Sequence, residues 1–277
     1  MRKIRLDEIG YWSEIKLDII KKYAAAYSLI MNRQSFINSH HYIDGFAGAG
    51  VHISKNTKEF VPGSPTNALE VNPPFSRYHF IDLNGDKAEL LKDICRDNAK
   101  VDVYQGDCNR LLLDKIFPLV RYENYDRALC LLDPYGIHLN WEVMYAAGRS
   151  KAIEIFLNFS VMDMNMNVLR HNPEKVDQKQ IERMNAFWGD ESWRAAAYHE
   201  QQGLFDVVRE KTSNRALAEA FRNRLRTVAG FGYVPEPLPM RNENGATLYY
   251  LFFASPKKTG HDIVEDIIAK YKDRGLV

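Results

Sequence analysis

The sequence predicts an α/β fold built on a mostly parallel sheet of seven strands with a helical insertion. Three observations predict it. Over the first 158 residues, short apolar runs of strand length alternate with segments of helix length, which is the pattern of a parallel sheet covered on both faces. Residues 161–203 break that alternation with a polar stretch of helical character. Near the C-terminus, two strand-like runs at 232–238 and 246–254 flank the turn Asn242-Glu243-Asn244-Gly245, so an antiparallel pair is added to the sheet.

Each element has a local reason. Residues 12–31 read as a helix because Ile15, Ile19, Tyr23 and Tyr27 recur every four positions, with Lys16, Lys21 and Lys22 off that stripe. Residues 41–45 read as a strand running into glycines. Residues 51–63 read as a loop, with Pro62-Gly63 as a turn signal. Ser64-Pro65 starts the next helix, since serine caps and proline fits a first turn. Strands follow at 77–82, 101–104, 127–132 and 152–158, with helices at 86–97 and 140–148. Later helices are expected at 213–228 and 260–272. The organisation read from this is an N-terminal helical segment (1–40), a ligand-binding core (41–160), a helical insertion or lid (161–203), and a completing segment (204–277).

Composition limits the function classes. Lysine plus arginine number 37 against 36 acidic residues, so there is no global basic footprint, and a nucleic-acid partner would need a local patch. The three cysteines, Cys95, Cys108 and Cys130, contain no Cys-x-x-Cys pair. That argues against a disulfide framework or a zinc site and fits a reduced, cytoplasmic setting. The scattered histidines show no metal spacing, and no apolar run is long enough to span a membrane.

Four motifs carry chemistry. The first runs from Tyr42 through Asp44-Gly45-Phe46-Ala47-Gly48-Ala49-Gly50. A strand ends abruptly there, and glycines let backbone approach a ligand. The spacing is not the Gly-x-Gly-x-x-Gly of dinucleotide binders. It resembles motif I of S-adenosylmethionine (SAM) methyltransferases, in which Asp44, Gly45, Phe46, Gly48 and Gly50 would surround the methionine moiety. The second is Phe80-Ile81-Asp82-Leu83-Asn84, an acid at a strand's carboxyl end, where ligands of open α/β sheets bind. Asp82 is read as the acceptor of two ribose hydroxyls or, alternatively, as a helix cap. In the third, Gln105-Gly106-Asp107-Cys108-Asn109, Asp107 is placed either against an adenine amine or as a cap.

The fourth motif, Leu132-Asp133-Pro134-Tyr135-Gly136, follows the strand at 127–132. It resembles the Asp-Pro-Pro-Tyr loop of methyltransferases that act on exocyclic amines of nucleobases, with one proline fewer. It is also similar to the Asp-Pro-Phe-Gly of some tRNA guanine-N2 methyltransferases. An aryl amine is a poor nucleophile because its lone pair is delocalised into the ring. The Asp133 carboxylate and the Pro134 carbonyl can accept its hydrogens and localise that pair. Tyr135 can stack on the base, worth roughly 1–3 kcal/mol, once the base is flipped out. Asp133 to Gly136 also reads as a tight turn.

The order of these motifs after four successive strands predicts a Rossmann-like class I SAM-dependent methyltransferase fold. The whole chain resembles the three-Cys-motif partner protein (TcmP) family. The resemblance rests on Tyr11-Trp12-Ser13-Glu14-Ile15-Lys16, Tyr42 to Gly50, Gly63-Ser64-Pro65 and Asp133 to Gly136. It extends to Phe187-Trp188-Gly189-Asp190-Glu191-Ser192-Trp193 and Leu248-Tyr249-Tyr250-Leu251-Phe252-Phe253. It implies a methyltransferase-like fold and a partner with a three-cysteine motif similar to radical-SAM enzymes.

The sequence-level reading is therefore methyl transfer from SAM to an exocyclic amine on a nucleobase, with a nucleic-acid substrate. Its rivals are a non-catalytic SAM-binding partner or specificity subunit and a nucleotide-dependent oxidoreductase, which the glycine spacing disfavours. Arg215, Arg222 and Arg226 share one helix face, read as solvated or as a phosphate contact. Met162, Met164 and Met166, with Trp188 and Trp193, are expected in a core or lid.

Overall fold

The computed structural model describes residues 6–170, 175–202, 207–242 and 244–272. In chain order the first half runs β1 (Glu8–Ile9), α1 (Tyr11–Arg33), β2 (Ser39–Asp44), β3 (Val51–Ser54), β4 (Phe60–Pro62), α2 (Ser64–Leu69), β5 (Arg77–Asp82), α3 (Gly85–Cys95), β6 (Val101–Gln105) and α4 (Cys108–Leu111). Then come β7 (Asp126–Leu132), α5 (Trp141–Ser150), β8 (Ile153–Phe159), α6 (Val161–Asn167), α7 (Gln178–Trp188) and α8 (Trp193–Ala197). The chain closes with β9 (Tyr198–Gln202), β10 (Val207–Lys211), α9 (Asn214–Thr227), β11 (Leu238–Arg241), β12 (Thr247–Ala254) and α10 (Lys258–Lys272).

Seven strands form one sheet in the order β11-β12-β8-β7-β2-β5-β6. The pairs β8·β7, β7·β2, β2·β5 and β5·β6 are parallel, and β12 runs antiparallel to both neighbours. This strand order, with its single reversed strand, is that of the Rossmann-like class I methyltransferase fold. The strand order reverses beside β2, and a ligand crevice opens at the carboxyl ends of strands at such a switch point.

Alternation along the strands builds two cores. Ile43, Cys130, Leu132, Ile155 and Leu157 point to one face, where α5, α7 and α9 pack. Tyr42, Leu129, Leu131 and Phe156 point to the other, against α1, α3 and α10. On the first face Phe221 of α9 meets Trp141, Phe159, Phe187, Trp188 and Phe252. Truncating such a ring to alanine costs about 3–5 kcal/mol.

The stripe expected on α1 is buried as read. Lys16, placed off it, is buried as well. The expected loop at 51–63 is a hairpin of β3 and β4, and β1 adds to it in parallel, pairing Glu8 with Ile53. The strand expected at 232–238 begins only at Leu238, while Tyr233 makes one isolated bridge to Ser255. Pro235 and Pro237 lack the N–H groups a longer ladder would need. In the insertion Trp188, Trp193 and Met164 are buried in the first core, whereas Met162 and Met166 are exposed. Arg215 pairs with Glu236 and Arg222 with Glu219. No helix among the described residues is long and apolar enough to cross a membrane.

Candidate active site

A cavity of about 810 Å³ opens at the carboxyl edge of the sheet. The turns after β2, β5 and β6 supply its walls with Gly45 and Phe46, Asp82 and Leu83, and Gly106 to Asn109. Tyr135, Ile137 and His138 come from the turn after β7, and α7 contributes Arg183 and Ala186. Of the residues singled out in the sequence, Gly45, Phe46, Asp82, Asp107 and Tyr135 line this space. Asp44, Gly48, Gly50, Asp133 and Pro134 stand outside its lining.

Asp82 is tied down by backbone. Its Oδ2 accepts from the Gly48 amide at 2.8 Å and its Oδ1 from the Asn84 amide at 2.7 Å. Gly48 reaches it with φ +63°, a left-handed conformation that favours glycine. The cap of α3 is Asn84, whose side chain accepts from the Lys87 amide, so Asp82 is free of that duty. Asp107 caps α4 through the Arg110 amide and lines the cavity as well.

Asp44 is fully buried. Its Oδ1 accepts from the Phe46 amide at 3.1 Å, while Oδ2 has no hydrogen-bond partner. Burial pushes its carboxyl up to about 7; Ser64 stands near enough to draw it partly back without completing a hydrogen bond to Oδ2. A buried carboxylate oxygen with a missing partner is the feature a cationic ligand would satisfy.

Asp133 is held from two sides. Lys16 donates to its Oδ2, and Asn158 of β8 donates to its Oδ1 at 2.8 Å. Burial alone would lower the Lys16 ammonium, but the Asp133 carboxylate, with Tyr249 and Asp44, outweighs it and keeps Lys16 charged. The turn beyond is clamped by Asp163 of α6. Its Oδ2 accepts from the Ile137 amide at 3.0 Å and from Arg183 at 2.7 Å, and its Oδ1 from Asn167 at 2.6 Å. Gly136 has φ +66°, and a Cβ there would stand 2.4 Å from Asp163 Oδ2.

The ring of Tyr135 is largely exposed, at 70%. Its hydroxyl donates to Asp7 Oδ2 at 2.9 Å, which also takes Lys87 Nζ at 2.6 Å. Burial would raise the Asp7 carboxyl; Lys87 and Tyr135 outweigh it and hold it below its usual range. The pairing of β1 with β3 delivers Asp7 to this mouth. Sequence reading missed Asp7, Lys16, Lys87, Asn158, Asp163 and Arg183. For Lys16 a signal existed: it heads a second buried row on α1 with Ile20, Ala24 and Ser28.

No family model and no curated protein matches the chain in sequence. Among solved structures it is similar to a Legionella pneumophila protein of family model DUF519 (12% identity, TM-score 0.48, 94% of this chain and 93% of that one). It is similar to the methyltransferase domain of bacterial CtHen1 (10%, 0.41, 85% and 99%). A third is Aeropyrum pernix fibrillarin, crystallised with natively bound SAM (10%, 0.33, 85% and 76%). At these identities and scores the fold assignment rests on the strand order.

Proposed function

We infer that the chain is a SAM-dependent methyltransferase acting on an exocyclic amine of a nucleobase in nucleic acid. The observation that carries this reading is the turn after β7. It sends Tyr135 into the wall of a cavity whose lining includes Gly45, Phe46, Asp82 and Asp107, and Asp133 lies two residues earlier in the same turn, outside that lining. The residues fit the cofactor: Asp44 offers an unpartnered buried oxygen for an ammonium, and Asp82 keeps spare lone pairs for ribose hydroxyls. Asp107 is the acceptor nearest in kind to an adenine amine. When bound, SAM supplies a methyl group activated by its sulfonium.

The remaining work falls to the chain. Lys16 and Asn158 each use one acceptor site of Asp133, which leaves others for the hydrogens of an amine. They act as positioning residues that hold the carboxylate aimed. Pro134 contributes its carbonyl, and Tyr135 a face for the base. Rate acceleration comes from alignment of the two reactants.

A second reading has its own support. Lys16 occupies Asp133 and Asp7 occupies Tyr135, so both substrate-facing groups are already engaged. That suits a non-catalytic, SAM-binding partner or specificity subunit of a three-Cys-motif protein, the role the TcmP resemblance implies. Calorimetry with S-adenosylhomocysteine tests the part common to both. Wild type should bind, and Asp82→Ala should weaken binding by roughly 1.5–3 kcal/mol. Equal affinity in the variant would refute the ribose assignment.

A further inference from the structure

A second cavity, of about 420 Å³, lies at the opposite edge of the sheet. Arg127 stands at the start of β7, and Lys151 and Ala152 directly precede β8. Pro256 and Lys257 follow the reversed strand β12 and so return to the same edge. A seven-residue strand separates this edge from the cofactor cavity by roughly 20 Å. The volume falls within the range of about 300–1,000 Å³ of small-molecule pockets.

Its chemistry is specific. Tyr122, Tyr125 and Phe36 make aromatic walls, the last two 53% and 56% exposed and set edge to face. Arg127, Lys151 and Lys257 line it without an ion pair to any carboxylate among the described residues. The first turn of α10 supplies Thr259 and Gly260, which puts the positive end of a 15-residue helix beside it. The Tyr27 hydroxyl is buried in its lining with no hydrogen-bond partner. Next to it Glu154 accepts from Ser255 at 2.8 Å and from Tyr23. Tyr125 and Lys151 are two of the three non-glycine residues with left-handed backbone among those described, a conformation that costs about 1–3 kcal/mol and gathers at ligand sites.

We propose that this cavity binds a nucleoside phosphate, with the base against the exposed Phe36 and Tyr125 rings, the phosphate among Arg127, Lys151 and Lys257, and a polar edge of the base at Tyr27 and Glu154. Three cations that have no carboxylate partner among the described residues, with Arg127 held in place by the Tyr122 and Asp126 carbonyls and the Tyr122 ring, together with a helix N-terminus favour a phosphate over a single carboxylate. Aromatic faces favour a ring over a bare anion. The nucleotide is either free or the end of a polynucleotide. The site uses none of the residues assigned to SAM, so it stands apart from the reading above.

The test is calorimetry on the full chain with GMP, UMP and a 5′-phosphorylated six-nucleotide single-stranded RNA. Saturable binding is expected. It should weaken at least tenfold in Lys151→Glu/Lys257→Glu, whose side chains are exposed, and severalfold in Tyr27→Phe. Mononucleotides binding as tightly as the RNA assigns the site to a free nucleotide, and binding of the RNA alone assigns it to a strand end. No saturable binding of any probe, or binding unchanged in both variants, overturns the proposal. S-adenosylhomocysteine titrated separately into the double variant should bind as in wild type. Joint loss of both ligands in a folded variant would contradict two separate sites.

Discussion

Lys16, in the second turn of α1, donates a hydrogen bond to Oδ2 of Asp133, 117 residues further along the chain, and the lysine side chain is only 9% exposed. The N-terminal helix is thereby fastened to the turn that faces the cavity. A buried charge stripped of its partner is costly, about 3–5 kcal/mol. Lys16→Met should destabilise the fold towards the low end of that range, because the Asp133 side chain keeps 29% exposure. Adding Asp133→Asn removes the orphaned charge and should recover about 1 kcal/mol or more, the scale of coupling between contacting residues. Urea titration of the three variants measures this, and strictly additive losses would show that the pair is not coupled.

Asp44 carries a pH signature. Its carboxyl is pushed up to about 7 from an ordinary 3.8 by burial. The folded state therefore holds its proton between those values while the unfolded state has released it. Stability contributed by this group is present below about pH 4 and is lost as pH rises to about 7. Asp44→Asn should then gain stability relative to wild type across that window, by about 4 kcal/mol at most, and level off above it. An ammonium ligand needs the charged form, so S-adenosylhomocysteine should bind wild type more tightly as pH rises from 6 to 8. A flat profile in wild type would count against an ammonium at Asp44.

Gly136 tests the clamp on the turn. Its φ is +66°, and an added Cβ would stand 2.4 Å from Asp163 Oδ2, so alanine has no room. Gly136→Ala should cost more than about 1 kcal/mol, because a strained backbone and a displaced ion pair combine. Thermal melts report the loss. Asp163→Asn, which keeps the shape and removes the charge opposite Arg183, should loosen the turn and raise hydrogen exchange at Ile137, whose amide donates to Asp163. Unchanged protection there would mean the turn holds itself.

Much of the fold was legible because buried parallel strands leave continuous apolar runs, as at 77–82 and 127–132, and because Asn84 and Asp107 sit where helix caps belong. The hairpin of β3 and β4 was not. Its strands are only four and three residues long and mostly half exposed, and the pairing of β3 with β1 is a contact over more than 40 positions. Glycines and acids of the cavity were visible from spacing. Asp7 was hidden because it acts across the chain; Lys16 was passed over because a lysine beside a helical stripe ordinarily faces water, although its row with Ile20, Ala24 and Ser28 marked it. The turn at 242–245 includes residue 243, which lies outside the described residues; Asn242 accepts there from the amides of Asn244 and Ala246.

The most direct measurement is methyl transfer itself, read as methylated nucleosides by mass spectrometry after incubating the full chain with SAM and unmodified RNA or DNA. Wild type should yield a nucleoside methylated on an exocyclic amine. Asp133→Asn should bind S-adenosylhomocysteine as wild type does while turnover falls about a hundredfold or more, close to 2.7 kcal/mol of barrier. A fully active Asp133→Asn enzyme, or a wild type that binds the cofactor and transfers nothing, would contradict amine methylation at this site.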